Sequence, residues 1–210
     1  IQVRHCAFPC SRGPTCPLSN TARRRGTVAD MATALVIVDV QNDYFPGGKF
    51  PLEGMDAAAA NAGRALASAR AGEMPVFHVR HEIPVDGAAF FEPGTPGAEI
   101  HPVVAPHADE PVVTKHYPNS FRSTDLESHL RSAGVDEIVV VGAQSNMCID
   151  ATARAANDLG FAVRVLHDAC AAKEQRFEGV DIPADTVHRT FMAALSPAYA
   201  TLASTSEFVD

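Results

Sequence analysis

The chain lacks any uninterrupted apolar stretch approaching the roughly 20 residues that a bilayer-crossing helix needs, so a transmembrane reading is excluded. It also lacks a surplus of positive charge, with a formal net charge of −8 at neutral pH. Residues 1–30 carry Arg4, Arg12, Arg23, Arg24 and Arg25 against Asp30 alone, so the remainder of the chain is more acidic still, at −12. An acidic body repels phosphate backbones, which argues against nucleic acid as a partner and for a neutral or weakly charged small molecule. Cysteine is scarce beyond residue 30, where only Cys148 and Cys170 occur. They form no disulfide framework by count or spacing, which points to a reducing compartment and makes the cytoplasm the expected location. Internal repeats and interdomain linkers are absent as well. With 46% hydrophobic and 20% charged residues over 210 positions, one domain with a sizeable core is expected.

Residues 1–30 differ from the rest. They hold Cys6, Cys10 and Cys16, three prolines and the Arg23-Arg24-Arg25 run, without periodic apolar patterning. The segment reads as a disordered leader or an upstream extension, with the folded domain spanning 31–210. A targeting peptide would want a longer apolar core or an amphipathic arginine pattern. The cysteine spacing could ligate a metal, but only His5 stands nearby as a fourth ligand.

From Met31 onward, short β-branched runs alternate with longer alanine-rich segments. Strands are predicted at 34–39, 75–80, 111–115, 137–142 and 162–166, with a weaker one near 199–203; helices are predicted at 56–71, 124–133, 147–159 and 186–195. Apolar strands without clean polar alternation, separated by helices, indicate an α/β fold with a parallel sheet covered on both faces. The connection from His81 to Pro111 is long and rich in Pro, Gly and Phe, a composition suited to a substrate lid.

Three reactive side chains lie where apolar runs end: Asp39 after Ala34–Val38, Lys115 after Pro111–Thr114, and Cys148 shortly after Glu137–Ala143. Open parallel sheets place their ligand sites at the carboxyl ends of the strands, so an acid, an ammonium and a thiol would meet there. Ser145 or Asn146 could cap a helix holding Cys148 in its first turn, where backbone N–H groups favour a thiolate and could hold an oxyanion. Each residue alone has a bland reading: Cys148 as a small buried hydrophobe, Asp39 as a loop cap, Lys115 as a snorkelling strand-end lysine. As a pair, Asp39 and Lys115 satisfy each other electrostatically. Cys170 reads as a packing residue, and Asp43 as the loop-capping aspartate.

The segments Val36–Gly48 (VIVDVQNDYFPGG), Lys115–Phe121 (KHYPNSF), Val141–Ala156 (VGAQSNMCIDATARAA) and His167–Ala172 (HDACAA) closely resemble the isochorismatase-like cysteine hydrolases. The resemblance runs from about Thr33 to Val209, and the loop motifs are most similar to the streptothricin-hydrolase-like branch. It implies a three-layer sandwich around a six-stranded parallel sheet in Rossmann-like order. It also implies an Asp39–Lys115–Cys148 triad of general base, cationic partner and nucleophile. A non-proline cis peptide between Ala143 and Gln144 is implied too, turning the Gln144 N–H, with that of Cys148, toward an oxyanion.

The expected reaction is hydrolysis of a small-molecule amide or lactam through a Cys148 thioester, without metal or other cofactor. Phe45, His81, Phe90, Tyr117 and Phe121 are candidate substrate-binding residues, all near strand ends. A metal-dependent nicotinamidase or pyrazinamidase is the alternative: such relatives carry an Asp-x-His segment and a further His, whereas Phe50–Asp56 has no histidine, and His78 with His81 is the remaining pair of ligand spacing. Enzymes that split the isochorismate vinyl ether lack the nucleophilic cysteine that Cys148 supplies here. A noncatalytic small-molecule-binding or redox-sensing domain is a third reading. The resemblance further implies a homo-oligomer, dimer or tetramer.

Overall fold

A computed structural model of the chain describes residues 31–210. The expectations for residues 1–30, including the Cys6, Cys10, Cys16 and His5 grouping, lie outside the described residues. The elements run in the order β1 (Thr33–Val38), α1 (Met55–Ala71), β2 (Val76–His81), β3 (Val112–Lys115), α2 (Leu126–Ser132), β4 (Glu137–Ala143), α3 (Asp150–Asp158), β5 (Ala162–Ala171), β6 (Gln175–Phe177), β7 (Val180–Ile182), α4 (Ala184–Leu195), β8 (Thr201–Ala203) and α5 (Thr205–Val209). Among the described residues, no helix is long and apolar enough to cross a membrane.

Six strands form one sheet in the order β3-β2-β1-β4-β5-β8, and every pairing within it is parallel. Skipping the small hairpin β6–β7, this is the doubly wound order in which the chain reverses direction between β1 and β4. Alternation along β1 divides the core. Ala34, Val36 and Val38 pack with Leu126, Leu130, Ile149 and Ala153 on one face, while Leu35 and Ile37 pack with α1 on the other. The α1 helix buries Ala58, Ala59, Ala62, Ala65 and Ala69, whose small side chains let it lie close to the sheet.

The sequence expectation recovers all six strands and four helices, with boundary differences. The strand from Ala162 runs on to Ala171, so His167–Ala171 is strand rather than loop. The helix predicted from Met147 begins as a π turn, Ser145–Ile149, and becomes α-helical only at Asp150. The hairpin β6–β7 was not expected: its two-residue turn, Glu178-Gly179, has φ of 49° and 81°, the left-handed pair that a tight hairpin requires.

Gly142, opposite Val38 in the β1–β4 ladder, has φ +123°, and a Cβ there would overlap the Val38 carbonyl. Only glycine lets the ends of these two strands approach so closely beside the switch point. Gly142→Ala is therefore expected to lower stability by about 2–4 kcal/mol, read as a fall in the thermal unfolding midpoint. An unchanged midpoint would mean that the strand ends part without cost.

Candidate active site

Four consecutive strands deliver the polar side chains in one row. Lys115 ends β3, His81 ends β2 and pairs in register with Lys115, Asp39 follows β1, and Cys148 lies in the turn after β4. The strand carrying His81 lies between those carrying Asp39 and Lys115, so the lysine must reach across it. Two features make that reach work: the length of the lysine chain, and the φ of +53° at Asp39, which bends the backbone out of the strand direction.

Lys115 Nζ lies 2.8 Å from Asp39 Oδ2, and neither side chain is exposed. The ammonium also donates a hydrogen bond to Pro118 O, 2.8 Å away. Asp39 Oδ1 is buried without a hydrogen-bond partner, while Oδ2 faces the ammonium. His81 Nδ1 is 3.6 Å from Asp39 Oδ2 and 3.9 Å from Cys148 Sγ. The carboxylate, imidazole and thiol thus fall within 4.8 Å of one another, all buried.

Burial alone would raise the Asp39 pKa, but the Lys115 ammonium and His81 outweigh it, so the carboxyl sits below its usual value. Burial would likewise lower Lys115, but the Asp39 charge wins and holds the ammonium on. Cys148 is pushed well above the usual thiol range, by burial first and by the Asp39 charge second, against the opposing effect of Lys115. These directions together favour a carboxylate, an ammonium and a neutral thiol. This corrects the expectation that a helix start favours a Cys148 thiolate, because loss of solvation at 3% exposure outweighs it. The capping expectation also changes. Neither Ser145 nor Asn146 caps the helix. Ser145 Oγ instead donates to Ala171 O at 3.1 Å and contacts His188 Nδ1 at 2.8 Å. The Ala143–Gln144 bond is cis, as the resemblance implied.

The five candidate pocket residues separate. His81 lies against the acid and the thiol. Phe90, half-buried, stacks on Phe50 at 4.5 Å between centroids and meets Phe91 edge-on, in a cluster that also holds Tyr44. Phe45 stacks on His101 at 3.7 Å and borders a depression of about 400 Å³ lined by Asn42, Lys49 and Pro96. Tyr117 is exposed beneath the Arg122 guanidinium, 3.8 Å from its ring centroid. Phe121 packs on Phe161 in the core. The structure therefore brings His81 to the reactive groups and gives Tyr117 and Phe121 packing partners elsewhere. His78, three residues before His81, falls on the opposite face of β2, where Nε2 meets Glu110 Oε2 at 3.0 Å; the two histidines do not share an ion site. A cavity of about 710 Å³ bordered by Arg70, Val76, Glu110 and Pro111 lies at the amino ends of β2 and β3, the wrong edge for these groups.

Two further residues were not singled out from the sequence. Gln41, fully buried, donates to His81 O at 2.8 Å and to Ala98 O at 2.7 Å and accepts from His81 N at 2.8 Å, fixing the end of β2 to the long connection. Tyr44 OH accepts from Gln144 Nε2 at 3.3 Å, linking the turn before Cys148 to the aromatic cluster. Asp43 behaves as the predicted loop cap, accepting from Lys49 N at 3.0 Å and Phe91 N at 2.7 Å.

Comparison with known proteins agrees with this arrangement. The isochorismatase domain profile matches residues 33–207. An uncharacterised isochorismatase family protein of Bacillus subtilis, YddQ, is 48% identical, over 85% of this chain and 99% of its own length. The streptothricin hydrolase of Streptomyces noursei is 39% identical, over 78% of this chain and 56% of that protein. The crystal structure of an isochorismatase-type protein from Oleispira antarctica superposes with a TM-score of 0.83 at 50% identity, covering 88% of this chain and 99% of that one. Profile, sequence relatives and fold agree, and the chain belongs to the isochorismatase family, whose members include hydrolases.

Proposed function

We propose that this protein is a cysteine hydrolase that cleaves a C–N amide or lactam bond of a small molecule through a thioester on Cys148. The observation that carries the reading is the Asp39 carboxylate: buried, held anionic by Lys115 at Oδ2, with Oδ1 free of a hydrogen-bond partner, and close to the Cys148 thiol. Such a group is a base with one oxygen free to take a proton. Similarity to streptothricin hydrolase supports the reaction class.

In the proposed sequence Asp39 takes the thiol proton as sulfur attacks the substrate carbonyl. The resulting oxyanion is held by the backbone N–H groups of Gln144 and Cys148. Collapse breaks the C–N bond, and Asp39 returns its proton to the departing nitrogen. Water then attacks the thioester as Asp39 takes its proton, the carboxylic acid leaves, and the proton goes back to sulfur. Lys115 keeps Asp39 ionised between turnovers. His81 lies against both partners of the first proton transfer and orients them.

The metal-dependent nicotinamidase reading would need a second histidine near His81, and His78 is engaged with Glu110 on the other face of the strand. A noncatalytic binding domain would gain nothing from burying an ion pair beside a thiol, an arrangement that costs desolvation.

The direct test is a screen of small amides, lactams and carbamoyl compounds for release of amine or ammonia, with intact-mass detection of an acyl adduct. Cys148→Ala and Asp39→Asn are expected to lower turnover at least about 1,000-fold, with the adduct absent from Cys148→Ala. Turnover that survives Cys148→Ala would sink the covalent mechanism.

The pH profile tests the base. The acid limb of kcat/KM follows Asp39, whose depressed pKa keeps activity present above the ordinary carboxylate range and lost as pH falls through the lowered value. Lys115→Met removes the opposing cation, leaves burial less opposed and moves the limb to higher pH. A limb that stays in place would exclude Asp39 as the titrating group. Gln41→Leu, which loses the clamp on His81, is expected to reduce kcat about tenfold or more by misplacing the imidazole; an unaltered kcat would show that the clamp serves the fold alone.

A further inference from the structure

We propose that Asp39, His81 and Cys148 also form a binding site for one thiophilic divalent cation of the zinc class, which takes the place of the thiol proton and closes the nucleophile. The three residues offer an oxygen, a nitrogen and a sulfur within 4.8 Å of one another, the one such grouping found among the described residues. Tetrahedral coordination at zinc bond lengths sets neighbouring ligand atoms about 3.3–3.6 Å apart. The observed Asp39 Oδ2 to His81 Nδ1 and Cys148 Sγ to His81 Nδ1 separations are 3.6 and 3.9 Å, each within a few tenths of an ångström of those values. A different observation points the same way: Asp39 Oδ1 is fully buried without a hydrogen-bond partner, while Oδ2 faces the Lys115 ammonium. A cation arriving there meets lone pairs already stripped of solvent.

The backbone of His81 is locked by Gln41, which bonds to both its N–H and its carbonyl at 2.8 Å. His81 is the most exposed of the three, at 8% against 0% for Asp39 and 3% for Cys148. Binding replaces the S–H bond by a sulfur–metal bond and releases one proton to solvent, with no change of oxidation state, so affinity rises with pH. Lys115 opposes the ion, because its ammonium already claims Asp39 Oδ2 at 2.8 Å. The ion and the lysine compete for one carboxylate, which makes this an inhibitory site of moderate affinity rather than a closed structural one. The inference uses the residues of the proposed hydrolase site but requires no turnover.

The test is titration of the full chain with Co²⁺, reading the thiolate-to-cobalt charge-transfer band and proton release, followed by displacement with Zn²⁺. Residues 1–30 bring Cys6, Cys10 and Cys16, so the diagnostic quantity is the difference between wild type and Cys148→Ala. Wild type is expected to take up one more ion than Cys148→Ala and to show the band that this variant lacks. His81→Asn should weaken that extra ion at least about tenfold, and Lys115→Met should tighten it by at least about tenfold through loss of a competing unit charge. A variant that merely unfolds does not bind more tightly, and near-UV circular dichroism identifies any that does unfold. Identical cobalt spectra for wild type and Cys148→Ala, or His81→Asn binding as tightly as wild type, would overturn the proposal. Amide turnover measured on metal-free protein separates the two readings. Hydrolysis without the difference band removes the cation site alone, and the band without hydrolysis supports the cation site and removes the hydrolase.

Discussion

The Asp39–Lys115 ion pair is the constraint around which the rest of the site is arranged. Both groups are withdrawn from water at 2.8 Å separation. Burying two charges costs several kcal/mol per ion before attraction recovers any of it, and removing one partner from such a pair typically destabilises by about 3–5 kcal/mol. A hydrophobic pair of the same volume would serve the fold at least as well. What the ion pair supplies is a carboxylate that stays ionised in a place where burial alone would neutralise it. The bond from Lys115 to Pro118 O matters here, since it anchors the ammonium beside Asp39 Oδ2.

The thiol follows from the same balance. Asp39 is the second largest influence raising the Cys148 pKa after burial, and Lys115 opposes it only in part. A charged thiolate beside a charged carboxylate would be two anions sharing one cation in a dry crevice, so the proton remains on sulfur. In the proposed mechanism that proton is transferred at the moment of attack, so distance and direction between Asp39 and Cys148 would count for more than the acidity of the thiol. Gln41 and Tyr44, which hold the end of β2 and the turn before Cys148, bear on that geometry without touching the sulfur.

The elements were legible from the sequence where one physical rule dominated. Apolar runs ending in Asp39 and Lys115 revealed strands and, through the expense of burying their charges, a partnership. The parallel class followed from strands without polar alternation. Other features needed three-dimensional information. The intervening position of β2, and with it the contact of His81 with both Asp39 and Cys148, depends on strand order. Extension of β5 beyond Leu166 depends on its renewed pairing with β4 at Cys170 and Ala171, after an irregularity that leaves His167 and Asp168 outside the β4 ladder. The hairpin turn Glu178-Gly179 places a glutamate where asparagine or glycine is the usual signal, so local chemistry concealed it. By contrast, Ser204-Thr205-Ser206-Glu207 is a capping-box pattern readable in the chain, and it opens α5 with both reciprocal bonds formed. Phe45, Tyr117 and Phe121 illustrate the limit of position-based reasoning: a strand-end loop locates a backbone, but packing chooses which way an aromatic ring turns.

The long connection from His81 to Pro111 reads from composition as a lid, yet its anchoring argues for a fixed wall. Gln41 bonds Ala98 O, Asn42 bonds Pro96 O at 2.8 Å, and Asp43 bonds Phe91 N, so three successive residues after Asp39 tie down three points of the connection. The turn at Gly97 packs against the Asp43 carboxylate so tightly that a Cβ there would overlap it. Phe91, wholly buried with φ +54°, is held in that conformation by the same carboxylate. Swinging this segment open would expose Phe91 and leave Gln41 and Asp43 buried without partners, each loss costing about 1–3 kcal/mol. The base and the wall facing it are therefore one mechanical unit. Under the proposed function, the crevice is shaped before substrate arrives, and selectivity would reside in the fit of a small molecule to a preformed space rather than in closure around it.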